Sequence, residues 1–351
     1  MPALQLRRTL TLSALAIVCW FAAQSCVSNR LLCPAQDTSQ SAGAPCDIYA
    51  AAHTACAAAF STTRALYKSY AGPLYQVTRK SDGKTSNIGL LSDGFANAAT
   101  QDAFCSGTTC TITKIFDQSP HHNDLGIAPP GTYRAGQGPG GYDLPADAMK
   151  LPVTAGGHKV YGIYMLAGMG YRDDTTVGIA VNGQPEGVYM VASGTRFNSG
   201  CCFDFGNAET NDHDNGPGHM DAVNLRCDSA SNLHVGLDME AGTYPPFSMP
   251  SNLSFVTAMG ANDGQKTYSV YWGNAQQGCL TSSGLLSLPP KGYIPMHQEG
   301  GIILGIGGDN SNWSVGSFFE GAMTTGLPSN ATLSAIQANV VSVGYSGNSN
   351  P

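Results

Sequence analysis

Two carboxylates separated by one residue, Asp238 and Glu240, are the first candidates for chemistry in this sequence. A β-strand alternates its side chains between two faces, so these acids would share one face while Leu237 and Met239 share the other. Carboxylates held so close raise each other's pKa, and paired carboxylates with different pKa values are typical of acid/base catalysis. The same pattern is compatible with an edge strand that carries a solvated acidic face.

Two further motifs offer polar or reactive groups. The polar segment 308–312 follows the apolar segment 301–307, and its glycine would let the backbone beside Asp309 approach a ligand closely. Alone, this segment is also compatible with a polar turn or a calcium loop. Cys201 and Cys202 are adjacent, and the sequence leaves open whether they are free, paired with each other or paired elsewhere.

The composition excludes several classes of function. Only 12% of the residues are charged, and 43 glycines and 20 prolines favour turns over long surface helices. The net charge is −7, and no basic run occurs after the first residues, which argues against a nucleic-acid partner. A neutral substrate fits this charge best.

The N-terminus resembles an export signal. Arg7 and Arg8 precede the apolar segment 9–23, which is too short to span a bilayer comfortably. Small residues then predict cleavage after residue 25, so we expect a secreted protein whose first mature residue is Cys26. A lipid anchor on Cys26 and an uncleaved membrane anchor are the alternatives.

Eleven cysteines behind an export signal predict a disulfide set. One cysteine lies inside the signal, which leaves an even number. Two pairs are close enough in sequence to close small loops: Cys46–Cys56 and Cys105–Cys110. Elimination then suggests two more pairs, which the sequence cannot prove: Cys26–Cys33 and Cys227–Cys279. The chain has no Cys-x-x-Cys pair, so we do not expect a zinc ribbon.

Short alternating segments separated by turn residues predict an all-β fold with antiparallel sheets, either a sandwich or a barrel. We predict strands at 74–79, 109–117, 160–165, 176–181, 187–192, 233–240, 254–259, 266–272, 301–307 and 318–323. Apolar periodicity predicts one short C-terminal helix at 331–343, and Ser61 or Thr62 could begin a helical turn over 61–67.

The predicted organisation is a signal peptide at 1–25, a polar linker at 26–44, a single domain at 45–345 and a tail at 346–351. No internal repeat is present.

Six segments together resemble the catalytic domain of the α-L-arabinofuranosidase B family, glycoside hydrolase family 54. They are 46–49 (CDIY), 61–67 (STTRALY), 116–119 (FDQS), 201–210 (CCFDFGNAET), 238–240 (DME) and 301–312 (GIILGIGGDNSN). The resemblance extends over about 300 residues. It implies a β-sandwich of the concanavalin/LamG-like type.

The resemblance assigns roles residue by residue. It implies that Glu240 is the nucleophile and Asp309 the acid/base of a retaining hydrolase. Asp238 and Gly308 would hold the arabinose, and a Cys201–Cys202 disulfide would form an apolar floor beneath it. We expect Asp238 to accept hydrogen bonds from sugar hydroxyls, which would leave Glu240 ionised. No cofactor and no metal are implied.

Two positions depart from the family pattern. Ala241 stands where family members often carry Asn after the nucleophile, and no stacking Trp occurs between His219 and Asp238. These departures bear on affinity and substrate choice more than on chemistry. Trp272 and Trp313 are expected in the core or at a rim, and Trp313 is close enough to Asp309 to be a wall of the site.

The resemblance implies a monomer that removes terminal α-L-arabinofuranosyl residues from plant arabinan, arabinoxylan and related side chains. Two alternatives remain open: a carbohydrate-binding sandwich without turnover, and a hydrolase for another furanoside such as galactofuranose. Fungal members carry a C-terminal arabinose-binding β-trefoil, and the resemblance does not extend to one here.

Overall fold

The computed structural model describes residues 30–33, 43–228, 232–240 and 243–351. The predictions for the signal peptide at 1–25, for Cys26 and for Ala241 therefore lie outside the described residues, as does most of the predicted linker. Within the described residues, no helix is both long and apolar enough to cross a membrane.

The described residues form 21 strands, and every strand pairing is antiparallel. In chain order they are β1 Arg30–Leu32, β2 Cys56–Ser61, β3 Tyr75–Arg79, β4 Thr85–Ile88, β5 Cys110–Ile115, β6 Leu125–Ile127, β7 Pro152–Ala155, β8 His158–Tyr161, β9 Ile163–Met165, β10 Tyr171–Asp173, β11 Glu186–Ser193, β12 Asp204–Ala208, β13 Asp221–Cys227, β14 Leu233–Asp238, β15 Thr243–Met249, β16 Phe255–Asn262, β17 Thr267–Asn274, β18 Leu280–Ser282, β19 Leu286–Ser287, β20 Gly301–Leu304 and β21 Gly316–Thr325.

Two large sheets contain nearly all of these strands. One has the order β1-β18-β17-β16-β11-β21-β2, with β19 beside β17 and β9 beside β21. The other has the order β15-β14-β13-β12-β20-β10-β6-β5-β3-β4, and β7 and β8 form a separate hairpin. The segments that carry Asp238 and Asp309 therefore leave strands β14 and β20 of the same sheet, with β13 and β12 between them.

The two sheets pack face to face as a β-sandwich, as predicted. Phe205 of β12 lies between them, with its ring centroid 6.1 Å from that of Phe60 and 5.3 Å from that of Phe318 in the opposite sheet. Because strand side chains alternate, neighbours of such core residues point to the outer face of the ten-stranded sheet. Leu237 enters the main core and Asp238 faces outward.

Three α-helices flank the sheets within the described residues: α1 Pro45–Ala51, α2 Ala98–Phe104 and α3 Asn330–Ser342. The C-terminal helix was predicted, with Ser329 as its N-cap. The other two were missed because each has only seven residues, too few to show helical periodicity. Their caps were readable: Pro45 begins α1, and the Asn97 side chain accepts from the Thr100 amide.

Three local predictions are wrong for identifiable reasons. Segment 176–181 is not a strand, because the Asn123 side chain satisfies both the N–H and the C=O of Val177. Segment 61–67 is not helical, because Ser61 ends β2 and its hydroxyl accepts from the amides of Thr63 and Arg64. The predicted strand 160–165 is two strands, β8 and β9, interrupted at residue 162.

The cysteine pairing suggested by elimination is also wrong. Cys33 bonds Cys279, and Cys227 is a free cysteine. The cause is the register of β1 on β18, which places Leu32 opposite Leu280 and so brings the two cysteines together. The short-loop pairs Cys46–Cys56 and Cys105–Cys110 are present as predicted.

The C-terminal residues 346–351, predicted to be a tail, lie against the sandwich. Ser346 pairs with Thr154, and the buried Ser349 hydroxyl contacts that of Ser193 at 2.9 Å.

Candidate active site

The first acidic pair lies where β14 ends. Asp238 is the last residue of the strand, and its Oδ1 accepts from the Glu240 amide at 3.1 Å. Met239 is buried in the main core, and the Tyr293 hydroxyl donates to the Glu240 carbonyl at 2.7 Å. Glu240 has φ 66°, a left-handed conformation that a non-glycine residue adopts at a cost. The predicted strand 233–240 therefore ends at Asp238, and Glu240 lies beyond it, held beside Asp238 by the hydrogen bond from its amide and not by strand alternation.

Asp309 occupies a tight turn after β20. The Gly307 amide donates to the Ser311 carbonyl at 3.0 Å, and the Asn310 amide donates to the Gly307 carbonyl at 3.1 Å. Asn310 has φ 64°, which asparagine tolerates better than most residues. Asp309 Oδ1 accepts from the Ser311 hydroxyl at 2.5 Å and from its amide at 3.0 Å. The segment is thus a polar turn that orients one carboxylate.

The buried carboxylate of Asp143 fixes the Asp309 turn through two hydrogen bonds. Asp143 Oδ1 accepts from the side-chain amides of Asn312 at 2.6 Å and Asn310 at 3.4 Å. Burial raises the pKa of Asp143 to about 6. Two residues that follow Asp309, Asn310 and Asn312, are therefore fixed by one acceptor.

The adjacent cysteines connect the two acidic segments. Cys201 and Cys202 form a disulfide immediately before β12. The Cys202 amide donates to the Ser311 carbonyl at 3.1 Å, which joins the disulfide to the Asp309 turn. On the other side, Cys202 Sγ lies 3.9 Å from Asp238 Oδ2. Because both sulfurs are in the disulfide, they are not thiolate ligands for a metal.

A small apolar cluster, separate from the main core, lies on the outer face of the ten-stranded sheet. Its buried members are Ala128, Ala208, Met220, Ala222, Ile303 and Ile306. These residues come from β12, β13, β20 and segments flanking β6, β13 and β20. The candidate site thus lies on a buried apolar layer. The low dielectric constant of this layer strengthens charge interactions among the site residues.

Arg172 of β10 joins the two halves of the site. Its side chain is fully buried and forms ion pairs with Asp174 at 2.5 Å and Asp212 at 2.9 Å. The same guanidinium donates to the carbonyl of Gly308, at 2.5 Å, and to that of Glu209. A buried cation with these partners holds the Asp309 turn against the end of β12.

Glu209 is the functional candidate that the sequence did not single out. It directly follows β12, is fully buried, and its carboxylate oxygen lies within 4.8 Å of oxygens of Glu240 and Asp214. A Cβ on Gly308 would lie 1.9 Å from Glu209 Oε2, so only glycine fits there. The sequence signal that could have identified Glu209 is its position as an acid near the end of the 201–210 motif.

The comparisons with known proteins agree with this geometry. Residues 45–346 match the family model described as alpha-L-arabinofuranosidase B, catalytic. The chain belongs to this family. An alpha-L-arabinofuranosidase B of Emericella nidulans is 47% identical over 320 residues, which are 87% of this chain and 62% of that protein. An alpha-L-arabinofuranosidase of Hypocrea jecorina is 47% identical over 87% of this chain and 63% of its own length.

Solved structures of the arabinofuranosidase B family have the same fold. An arabinofuranosidase complexed with arabinofuranosyl-alpha-1,2-xylobiose superposes with TM-score 0.83 at 43% identity, covering 86% of this chain and 65% of that chain. A family 54 enzyme soaked with a cyclic sulfate inhibitor gives the same TM-score, 0.83. The chain spans less than two thirds of the length of these relatives.

The structure brings together all six residues that the resemblance to arabinofuranosidase B assigned to the site. Asp238 adjoins Glu240 and Cys202, while Asp309 and Gly308 adjoin the disulfide and Glu209. Burial raises the pKa of Asp238 to about 6, and the negative charge of Asp309 adds to the rise. The catalytic roles of Glu240 and Asp309 stay predictions.

The protonation state of Glu240 differs from our expectation. Burial raises the pKa of Glu240 to about 10, and the charges of Glu209, Asp238 and Asp214 add to the rise. Burial also raises the pKa of Glu209 to about 7. Carboxylate oxygens of Glu209 and Glu240 lie within 4.8 Å of each other, and two acids this close do not both ionise readily, so the raised pKa of Glu240 keeps a proton on the pair at neutral pH. Asp238 thus opposes ionisation of Glu240, contrary to the expectation that it would leave Glu240 ionised.

Replacing Glu209 with glutamine is expected to move the acidic limb of the kcat/KM profile to lower pH by about one unit or more. The change removes a negative charge that raises the pKa of Glu240, so Glu240 would ionise at lower pH. The measurement is kcat/KM against pH with a chromogenic α-L-arabinofuranoside.

Glu299→Gln is the matched control for this experiment. Glu299 pairs with His219 at 2.7 Å and lies beside Glu209, but it is not among the charges that act on Glu240. Its variant should keep the acidic limb in place. An unshifted limb in Glu209→Gln would show that the pair does not control ionisation of Glu240.

Proposed function

We propose that this chain is a secreted, retaining α-L-arabinofuranosidase that removes terminal α-L-arabinofuranosyl residues from arabinan, arabinoxylan and related side chains. The observation that carries the proposal is the convergence of Glu240 and Asp309 on Asp238 and the Cys201–Cys202 disulfide. Family membership and the named activities of the relatives support the same conclusion. The apolar segment behind Arg7 and Arg8 supports secretion.

The proposed reaction has two steps. The Glu240 carboxylate attacks the anomeric carbon while Asp309, protonated, gives its proton to the leaving oxygen. Asp309 then removes a proton from water, which displaces Glu240 and restores the original configuration. Retaining hydrolysis places the two carboxyl groups roughly 5–5.5 Å apart across the bond. The first step requires ionised Glu240, so the proton of the Glu209–Glu240 pair would rest on Glu209 during attack.

The polar groups around the pocket suit a small furanose. Asp238 offers Oδ2 toward the disulfide side, and its Oδ1 is occupied by the Glu240 amide. The disulfide sulfurs would contact the apolar face of the ring, while Asp238 accepts from hydroxyls. Gly308 lets the backbone of the Asp309 turn pack against Glu209, because a Cβ there would lie 1.9 Å from Glu209 Oε2.

A second candidate function is sugar binding without turnover. The specific observation in its favour is the close approach of Glu209 and Asp214 to Glu240, because it raises the pKa of Glu240 and a protonated carboxyl group cannot act as a nucleophile. The third candidate, hydrolysis of another furanoside, uses the same residues with a different sugar.

One assay separates the three candidates. The purified protein is given 4-nitrophenyl α-L-arabinofuranoside and 4-nitrophenyl β-D-galactofuranoside, and arabinose binding is measured in parallel. Release from the arabinoside alone supports the proposal, and NMR of the first-formed arabinose tests retention. Binding without release identifies the non-catalytic sandwich, while release from the galactoside alone identifies the other hydrolase.

A further inference from the structure

An exposed aromatic pair lies beside the Asp309 turn and the Cys201–Cys202 disulfide. Tyr133 is 62% exposed, and its ring centroid lies 5.0 Å from that of the half-buried Trp313, with the ring planes at 44°. The guanidinium of Arg134 lies 5.6 Å from the Trp313 ring centroid. We call Tyr133, Arg134 and Trp313 the rim platform. Aromatic rings with one free face and a nearby donor are typical of sugar-binding surfaces.

Backbone hydrogen bonds fix the rim platform to both parts of the site. The Tyr133 amide donates to the Asp309 carbonyl at 3.2 Å, and the Trp313 amide donates to the Cys201 carbonyl at 3.1 Å. The platform is therefore attached to the residue that would protonate the leaving group and to the floor beneath the sugar.

Two glycines make this arrangement possible. A Cβ on Gly200 would lie 2.5 Å from the Trp313 carbonyl oxygen and 2.9 Å from its Cδ1. A Cβ on Gly131 would lie 2.4 Å from the Asn310 Cβ. Larger residues at either position would push the segment carrying Trp313 or Tyr133 away from the site. The rim platform thus has dedicated packing and is not a chance surface contact.

We propose that the rim platform binds a pyranose ring of the polysaccharide backbone, on the leaving-group side of the bond that is cleaved. The inference rests on the proposed function, because the acid of a glycosidase stands beside the glycosidic oxygen. The chain beyond that oxygen must therefore pass the residues adjoining Asp309. The flat C–H face of a pyranose packs against Tyr133 or Trp313, and Arg134 donates to its hydroxyl groups.

The test compares two substrates and one ligand that needs no turnover. Methyl α-L-arabinofuranoside has a leaving group without a ring, whereas an arabinofuranosyl-substituted xylo-oligosaccharide has pyranose rings that reach the platform. In Trp313→Ala and Tyr133→Ala, the ratio of kcat/KM for the oligosaccharide to kcat/KM for the methyl glycoside should fall about tenfold. The fall should appear mainly in KM, since stacking acts equally on ground and transition states.

Xylobiose binding supplies the second readout. It should change the tryptophan fluorescence of the wild-type protein, and Trp313→Ala should lose this change together with measurable binding. Phe104→Ala is the matched control, because Arg79 of β3 lies 4.6 Å over the ring of Phe104, on α2, in a similar cation–aromatic pair. That variant should keep both the kinetic ratio and the binding.

The outcomes separate this inference from the proposed function. Absence of turnover on both substrates would contradict the proposed function, and xylobiose binding would still decide the platform. An unchanged ratio with unchanged xylobiose binding in Trp313→Ala would overturn the inference. Equal losses on both substrates, or binding of arabinobiose but not xylobiose, would overturn it as well.

Discussion

Glu240→Gln is expected to lower kcat by about 10⁴-fold or more, because removing a covalent nucleophile eliminates the pathway that it provides. Glutamine has nearly the same shape but a neutral, poorly nucleophilic amide. The measurement is release of 4-nitrophenol from the α-L-arabinofuranoside at the pH optimum of the wild-type protein. Near-native turnover would rule out Glu240 as the nucleophile.

The same variant should be more stable than the wild type above pH 7. The folded-state pKa of Glu240 is raised from 4.5 to about 10, so the folded protein binds more protons than the unfolded chain between these values. The free energy of unfolding therefore falls as pH rises through this window, and the glutamine variant lacks that fall. Urea titrations at pH 5 and pH 9 measure the difference.

Glu299→Gln is the control with the opposite sign. Glu299 is half-buried, and its pKa is lowered, with hydrogen bonds from Asn215 and His219 as causes, despite a burial effect that would raise it. Its loss should reduce stability above the ordinary glutamate pKa and leave kcat almost unchanged. If Glu240→Gln were instead the less stable variant at pH 9, the acidic cluster would be a source of stability.

Ionisation of Glu240 lowers the free energy of unfolding. Such a loss of stability is typical of active sites, where residues are placed for activity at the expense of stability. Glu240 and Asn310, with φ 66° and 64°, add backbone strain in both acidic segments of the site. These two positions aim the segments that carry the proposed nucleophile and acid. The strain is offset by fixed neighbours: Tyr293 on the Glu240 carbonyl, and Asp143 on the Asn310 side chain.

The strand architecture was predictable because its signals are local. Alternation in segments such as Leu233–Asp238 and the apolar run at 301–304 follows directly from one buried face. The match of six ordered motifs then implied which segments meet. The predicted site residues are adjacent because their strands belong to one sheet, which alternation alone does not reveal.

The features that sequence did not predict depend on long-range contacts. Cys33 meets Cys279, 246 positions away, through the three-residue strand β1, which is too short to recognise. Glu209 is distinguished only by the Gly308 turn that packs against it and by the Arg172 side chain that binds its carbonyl. The raised pKa of Glu240 depends on burial and on the charges of Glu209 and Asp214 from a distant part of the chain as well as that of Asp238, so no local pattern encodes it.

Asp309→Asn is expected to reduce kcat/KM on an arabinofuranosyl-substituted xylo-oligosaccharide by about 10²–10⁴-fold, the usual contribution of general acid–base catalysis. The leaving alcohol needs a proton as the bond breaks, and the Asp309 carboxyl is the group that the Gly307–Ser311 turn holds beside the disulfide. An arabinofuranoside with an activated dinitrophenyl leaving group needs little proton transfer. With this substrate, Asp309→Asn should therefore slow the first step of the reaction much less.

The second step supplies the diagnostic measurement. Without Asp309 as a base, water attacks the covalent intermediate slowly, and added azide should restore turnover because azide needs no deprotonation. The product should be arabinofuranosyl azide with the configuration of the substrate. Asp93→Asn, which alters an exposed acid paired with His158, should show neither the loss nor the rescue. Equal losses on both leaving groups without azide rescue would assign Asp309 to positioning and leave the acid to be found elsewhere.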